Sequence, residues 1–141
     1  MLNVDSIENG IVIDHIKAGR GMYIYNYLKL DELESSIALI KNVRSKVQGK
    51  KDLIKIEGDI NINLDVLGFI DPNATVNIVD NGVIVEKKKL KLPDTVVDIV
   101  KCKNPRCITS VENEIVHEFK LVDIEKRSYR CIYCDSMYNA G

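Results

Sequence analysis

The sequence predicts an α+β protein in two parts: a larger antiparallel sheet with short helices on one face, then a small all-β module. Three observations predict it. The first hundred residues alternate short β-rich runs with short helical ones. Asp80-Asn81-Gly82 places a strong hairpin signal between two β-rich runs. All four cysteines, Cys102, Cys107, Cys131 and Cys134, fall in the last forty residues of a 141-residue chain.

The elements follow in order. Ile11 to Ile16 is β-branched and reads as a strand, closed by the Gly19-Arg20-Gly21 break. Met22 to Leu30 fits either pattern: Tyr23, Tyr25 and Tyr27 alternate as on a strand, while Ile24, Tyr27 and Leu28 share a helical face. For Asp31 to Val47, pattern alone gives a helix. Asp31 and Glu34 make a capping box, and Leu33, Ile37, Ile40 and Val47 recur at helical spacing. Gln48-Gly49-Lys50 reads as a turn. Asp52 to Glu57 alternates, with Ile54 and Ile56 on one face and Leu53, Lys55 and Glu57 on the other. Leu64 to Ile70 is a short helix ended by Asp71-Pro72-Asn73. Ala74 to Val79 and Val83 to about Leu90 are the hairpin strands. Beyond Leu92-Pro93-Asp94-Thr95, where the proline disfavours further pairing, come three strand candidates: Val96 to Val100, Ile115 to Val122 and Ser128 to Ile132.

The cysteines are spaced C-x4-C, then 23 residues, then C-x2-C. Two close pairs, each a tight knuckle, are what a tetrahedral Zn²⁺ requires. Four ligands leave no position open for water, so one structural zinc per chain is expected rather than a catalytic one. Met1-Leu2-Asn3-Val4-Asp5 has neither a basic n-region nor an apolar h-region. A reducing, cytoplasmic setting is therefore expected, which disfavours two disulfides. His117 is read as a strand residue, not a ligand. A module of about 45 residues rarely stands on apolar burial alone. A structural zinc supplies roughly 10–16 kcal/mol near neutral pH. Lys101, Lys103, Arg106 and Arg130 flank the cysteines and can offset the formal −2 charge of Zn²⁺ with four thiolates.

Net charge is −1, with 13 basic and 14 acidic side chains in residues 1–95 and 7 of each in residues 96–141, so neither part is basic enough to hold nucleic acid by charge. No apolar run approaches the ~18 residues of a membrane helix. The chain has only two histidines and none of the common nucleophile, phosphate-loop or zinc-protease motifs, so no enzyme is expected. One further signal is Glu86-Lys87-Lys88-Lys89-Leu90-Lys91. On a strand, Lys87, Lys89 and Lys91 share a face, and Lys55 can join them. Such a row suits a polyphosphate, although lysines also guard edge strands against aggregation.

Gly10-Ile11-Val12-Ile13-Asp14-His15-Ile16, Lys51-Asp52-Leu53-Ile54-Lys55-Ile56-Glu57, Ala74-Thr75-Val76-Asn77 with Asp80-Asn81, and the cysteine pattern with Cys107-Ile108 and Cys131-Ile132-Tyr133-Cys134 together resemble the regulatory chain of aspartate carbamoyltransferase. The resemblance runs over nearly the whole chain. It implies a ferredoxin-like antiparallel sheet with two helices, followed by the all-β zinc-binding domain. Residues 1–92 would be an allosteric nucleotide-binding domain that pairs with a second regulatory chain. Residues 96–141 would dock on the catalytic chain. The resemblance also implies a helix over Met22 to Leu30 and, against the periodicity, a strand over about Ser36 to Val43.

The resemblance further implies a site for ATP or CTP. Val4, Asp5, Ser6 and Ile7 would line base and sugar. Asp14, beside His15, would meet a sugar hydroxyl or base amine, and Lys55 the ribose. Asn77, Val79, Gly82 and Ile84 would frame the base, and Lys87 and Lys89 would hold the phosphates. Two positions depart from the family: Gly82 stands where an aromatic is common, and Lys89 where arginine is. The competing reading is a zinc-containing nucleic-acid-binding adaptor, since such a sheet resembles an RNA-recognition fold. That fold stacks bases on aromatics of its central strands, and Lys51 to Glu57 and Ala74 to Val79 contain none.

Overall fold

The computed structural model describes residues 8–46, 49–58 and 61–140. It forms two compact units, Met1–Lys91 and Leu92–Gly141. In the first, β1 (Gly10–Lys17), α1 (Gly21–Tyr27), β2 (Ile37–Ser45), β3 (Gly49–Glu57), α2 (Leu64–Ile70) and β4 (Thr75–Asp80) follow in a β-α-β-β-α-β order. A final strand, β5 (Val83–Lys89), extends the sheet. All pairings are antiparallel and the strand order is β2-β3-β1-β4-β5, a ferredoxin-like arrangement with one added edge strand.

The core lies between one sheet face and the helices. Ile11, Ile13, Ile16, Ile54, Ile56 and Val76 point from the strands onto Ile24 of α1 and Leu67 of α2. Each fully buried isoleucine contributes about 1.5–3 kcal/mol. The helix expected over Met22 to Leu30 is shorter: α1 stops at Tyr27, Lys29 turns left-handed (φ 54°), and a 3-10 turn covers Leu30–Glu32. α2 begins where Asn63 Oδ1 accepts from the Asp65 and Val66 amides at 3.1 and 3.3 Å, satisfying two N–H groups the first turn leaves open.

The helical spacing over residues 31–47 is overridden in favour of the strand the resemblance implied. β2 pairs with β3 along its length, Ile37 opposite Ile56 and Ser45 opposite Gly49. A register shift lies between Ile40 and Val43, at Asn42 (φ 59°). The helical spacing is not a face of the sheet: Ile37 stands opposite Ile56, on the core side, and Ile40 opposite Leu53, on the other. The bulge returns Val43 to the face of Ile40, and Val47 lies outside the described residues. β1 uses the same device. Its register shifts between Ile13 and Ile16, at His15 (φ 100°), so both isoleucines are core residues. Gly49 and Lys50, expected in a turn, already belong to β3. Lys91 lies beyond the end of β5, so the lysine row on the strand is Lys87 and Lys89 alone.

The second unit is a four-stranded antiparallel sheet ordered β6 (Thr95–Val97), β7 (Glu118–Asp123), β8 (Ser128–Cys131), β9 (Met137–Asn139). β9 and a single helical turn, α3 (Ile108–Val111), have no sequence expectation behind them. β6 stops early because Asp98 turns left-handed (φ 56°). Val96, Phe119 and Tyr129 fill the small core. The Tyr129 hydroxyl is satisfied there by donating to the Pro93 carbonyl at 2.7 Å.

Candidate metal centre and ligand-binding face

Cys102 follows β6, Cys107 precedes α3, Cys131 ends β8 and Cys134 lies in the turn before β9. Their four sulfurs lie within 4.8 Å of one another. Two of the separations cross between knuckles: Cys102 to Cys134 at 3.6 Å and Cys107 to Cys131 at 3.7 Å. These are far from disulfide lengths. Four sulfurs each about 2.3 Å from a central Zn²⁺ would stand about 3.8 Å apart, so the donor set fits zinc.

The knuckles are held by backbone bonds that aim the sulfurs inward. The Cys107 amide donates to the Asn104 carbonyl at 3.0 Å, and the Asp135 amide to the Cys131 carbonyl at 3.0 Å. Burial pushes the Cys102 thiol up to about 12 and the Cys131 thiol upward as well. The Ser136 hydroxyl draws Cys134 down to about 6. Two buried thiols that resist ionising by themselves are held as thiolates only with a cation beside them. Lys101, Lys103, Arg106 and Arg130 are all exposed around it.

His117, expected on a strand, sits one residue before β7. Its Nδ1 accepts from the Cys102 amide at 3.1 Å, and its own amide donates to Asp98 Oδ1 at 2.9 Å. It braces a ligand through the backbone. The alternation of Val116-His117-Glu118-Phe119 hid this role, because the bond depends on where the Cys102 loop passes.

In the first unit, the sheet face opposite the core collects candidates from four strands. Three successive rows run across the sheet: Glu57, Gly10, Val79 and Ile84; then Lys55, Val12, Asn77 and Lys87; then Asp14, Thr75 and Lys89. Asp14, Lys55, Asn77, Val79, Ile84, Lys87 and Lys89 are thus brought together. His15 lies at the β1 bulge and Gly82 in the β4–β5 turn, so both stand at the margin. Val4, Asp5, Ser6 and Ile7 lie outside the described residues.

Two features of this face were not expected. Lys51 Nζ lies 2.7 Å from Asp14 Oδ1, a half-buried ion pair. Lys51 shares the strand parity of Lys55, the signal by which it could have been found. Asn77 is 7% exposed, and its Oδ1 is buried without a hydrogen-bond partner among the described residues. Leaving such a group unmet costs about 1–3 kcal/mol.

Fold and site together define a two-part binding protein: a sheet with a cationic face, and a module built on a structural metal centre. The comparisons with known proteins agree. The family model of the aspartate carbamoyltransferase regulatory chain allosteric domain matches residues 2–91, and that of its metal binding domain matches residues 94–140. Curated relatives described as aspartate carbamoyltransferase regulatory chains include one from Clostridium acetobutylicum, 59% identical over 141 residues (100% of this chain, 97% of the relative). One from Clostridium botulinum is 55% identical over the same span and coverage. One from Bifidobacterium longum is 50% identical over 134 residues (95% and 96%). The chain belongs to the family of aspartate carbamoyltransferase regulatory chains. Its two matched domains are allosteric and metal-binding, so it is a regulatory chain and not an enzyme. No helix among the described residues is long and apolar enough to cross a membrane.

Proposed function

We propose that the chain binds a nucleoside triphosphate, ATP or CTP, on the outer face of its first sheet and passes the effect to a catalytic chain held by its metal-binding unit. One observation carries the nucleotide reading: the buried Asn77 amide oxygen, which has no partner among the described residues, lies in a row between Lys55 and Lys87. A base amine would satisfy that oxygen. Lys55 and Lys87 are three strands apart, about 14 Å at ~4.8 Å per strand. A ligand lying across β1 and β4 would then have ammonium groups at both ends. Lys87 and Lys89 hold the phosphates as point charges, and Asp14, oriented by Lys51, meets the sugar.

The metal-binding unit supports docking. Ile108, Ile132 and Tyr133, chain neighbours of the cysteine ligands, are all at least 40% exposed. Apolar groups held outward around a rigid metal centre suit a protein partner. In the first unit, β2 is a nine-residue edge strand whose first half bears Ile37, Leu39 and Ile40, with Lys41 and Arg44 beyond them, whereas the other edge carries three successive lysines, Lys87 to Lys89. A second copy of the chain pairs along β2. The working site is the cytoplasm, where nucleotides and reduced thiols coexist.

Calorimetry on the intact chain with ATP and CTP tests the nucleotide site. Lys87→Glu abolishes binding, and Lys126→Glu, in the other unit, leaves it unchanged. Equal affinity in both variants would rule out the phosphate site.

A further inference from the structure

The metal centre contains one buried hydroxyl. Thr109 is the second residue of α3 and 4% exposed, and its Oγ1 donates to Cys107 Sγ at 3.0 Å. Ser136 also lies near a ligand sulfur, 3.2 Å from Cys134, but it is half-exposed and can exchange its bond with water. Thr109 cannot. Turned away from the sulfur, its hydroxyl would lose this bond with no water to replace it. Cys107 is itself 1% exposed, so this is a water-free contact between a hydroxyl and a metal ligand.

We propose that Thr109 is a positioning residue of the metal centre, whose hydroxyl holds the Cys107 thiolate in the orientation the metal requires and withdraws part of its charge. The proposal rests on the four-cysteine metal site. A zinc with four thiolates carries a formal −2 charge, and the flanking lysines and arginines reach it only from solvent, where they are screened. A buried donor acts without screening. A sulfur that shares a lone pair with a hydroxyl proton presents its remaining lone pairs in a fixed direction. Partners one shell beyond the ligands typically change metal affinity 10–100-fold.

The test uses the full chain loaded with Co²⁺, whose sulfur-to-cobalt charge-transfer band reports electron density on the thiolates, together with zinc affinity by chelator competition. Thr109→Val, nearly isosteric, moves the band to lower energy and weakens zinc at least about tenfold. Thr109→Ser restores both. If the valine variant does not fold, Thr109→Ala against Thr109→Ser makes the same comparison. An unshifted band and unchanged affinity in Thr109→Val or Thr109→Ala overturn the proposal. So does an equal shift in Thr109→Ser, which would make the residue's role one of packing. If the unsubstituted chain fails to take up one Co²⁺ with a tetrahedral thiolate spectrum, the metal site itself is wrong, a separate and distinguishable result.

Discussion

Asp52 Oδ2, at the buried centre of β3, accepts the backbone N–H of Gly21 at 3.0 Å, and a Cβ at residue 21 would sit 2.9 Å from that same oxygen. Gly21 therefore has to be glycine for the carboxylate to reach the start of α1. The same carboxylate accepts from Gly19 at 3.0 Å and, through Oδ1, from Asn42 at 3.1 Å. One side chain thus ties the β1–α1 connection and the β2 bulge to β3.

Asp52→Ala leaves three backbone donors without that acceptor and should cost about 3 kcal/mol or more. Gly21→Ala should cost about 1–3 kcal/mol through crowding against Asp52 and Leu39. Denaturant unfolding monitored in the first unit checks both, and stability within 0.5 kcal/mol (roughly the usual surface range) of the parent would contradict the account.

Metal removal should unfold the second unit and spare the first. Cys107→Ala leaves the zinc three thiolates, and the small core of Val96, Phe119 and Tyr129 cannot compensate. Metal analysis and unit-resolved NMR would show lost zinc with the signals of residues 8–91 retained. Acid should act alike. Zinc binds thiolates, and the metal-free Cys102 (about 12) and Cys131 (raised) are neutral thiols at pH 7. Binding there releases at least two protons, so affinity rises with pH and should fall about a hundredfold or more per unit of acidification. A pH-independent zinc affinity between pH 5 and 7 (roughly the window in which these thiols stay protonated) would refute it.

The two departures from the family pattern should have opposite consequences. Lys89 pairs opposite Thr75 at the end of the cationic rows, where an arginine would gain a bidentate grip on phosphate. Lys89→Arg should tighten triphosphate binding about three- to tenfold, on the order of 1 kcal/mol. Gly82 has φ +79° and follows Asn81 at φ 52°, a left-handed hairpin turn. Gly82→Tyr adds a ring beside the ligand face but strains this turn by about 1 kcal/mol. Titration calorimetry and thermal unfolding separate the two effects. Unchanged stability in Gly82→Tyr would show that the turn is not strained there.

The sequence by itself determined the metal centre, because cysteine spacing states the chemistry directly: two knuckles and four sulfurs admit little else. It also determined the hairpin at Asn81-Gly82 and the alternation of β3, where local backbone preference and burial agree. Tertiary structure decided β2. There the local pattern is helical, and only pairing with β3, with a bulge at Asn42, makes a strand of it. It likewise decided the roles of His117, Thr109 and Lys51. Each acts through one contact, with the Cys102 amide, the Cys107 sulfur and the Asp14 carboxylate respectively. His117 and Lys51 reach partners 15 and 37 residues away in sequence. Thr109 lies two residues from Cys107, but its hydroxyl gains its role only when folding excludes water from both. Periodicity reports which face a residue occupies. Which atom meets it across that face is set by register and loop path, which no local pattern encodes.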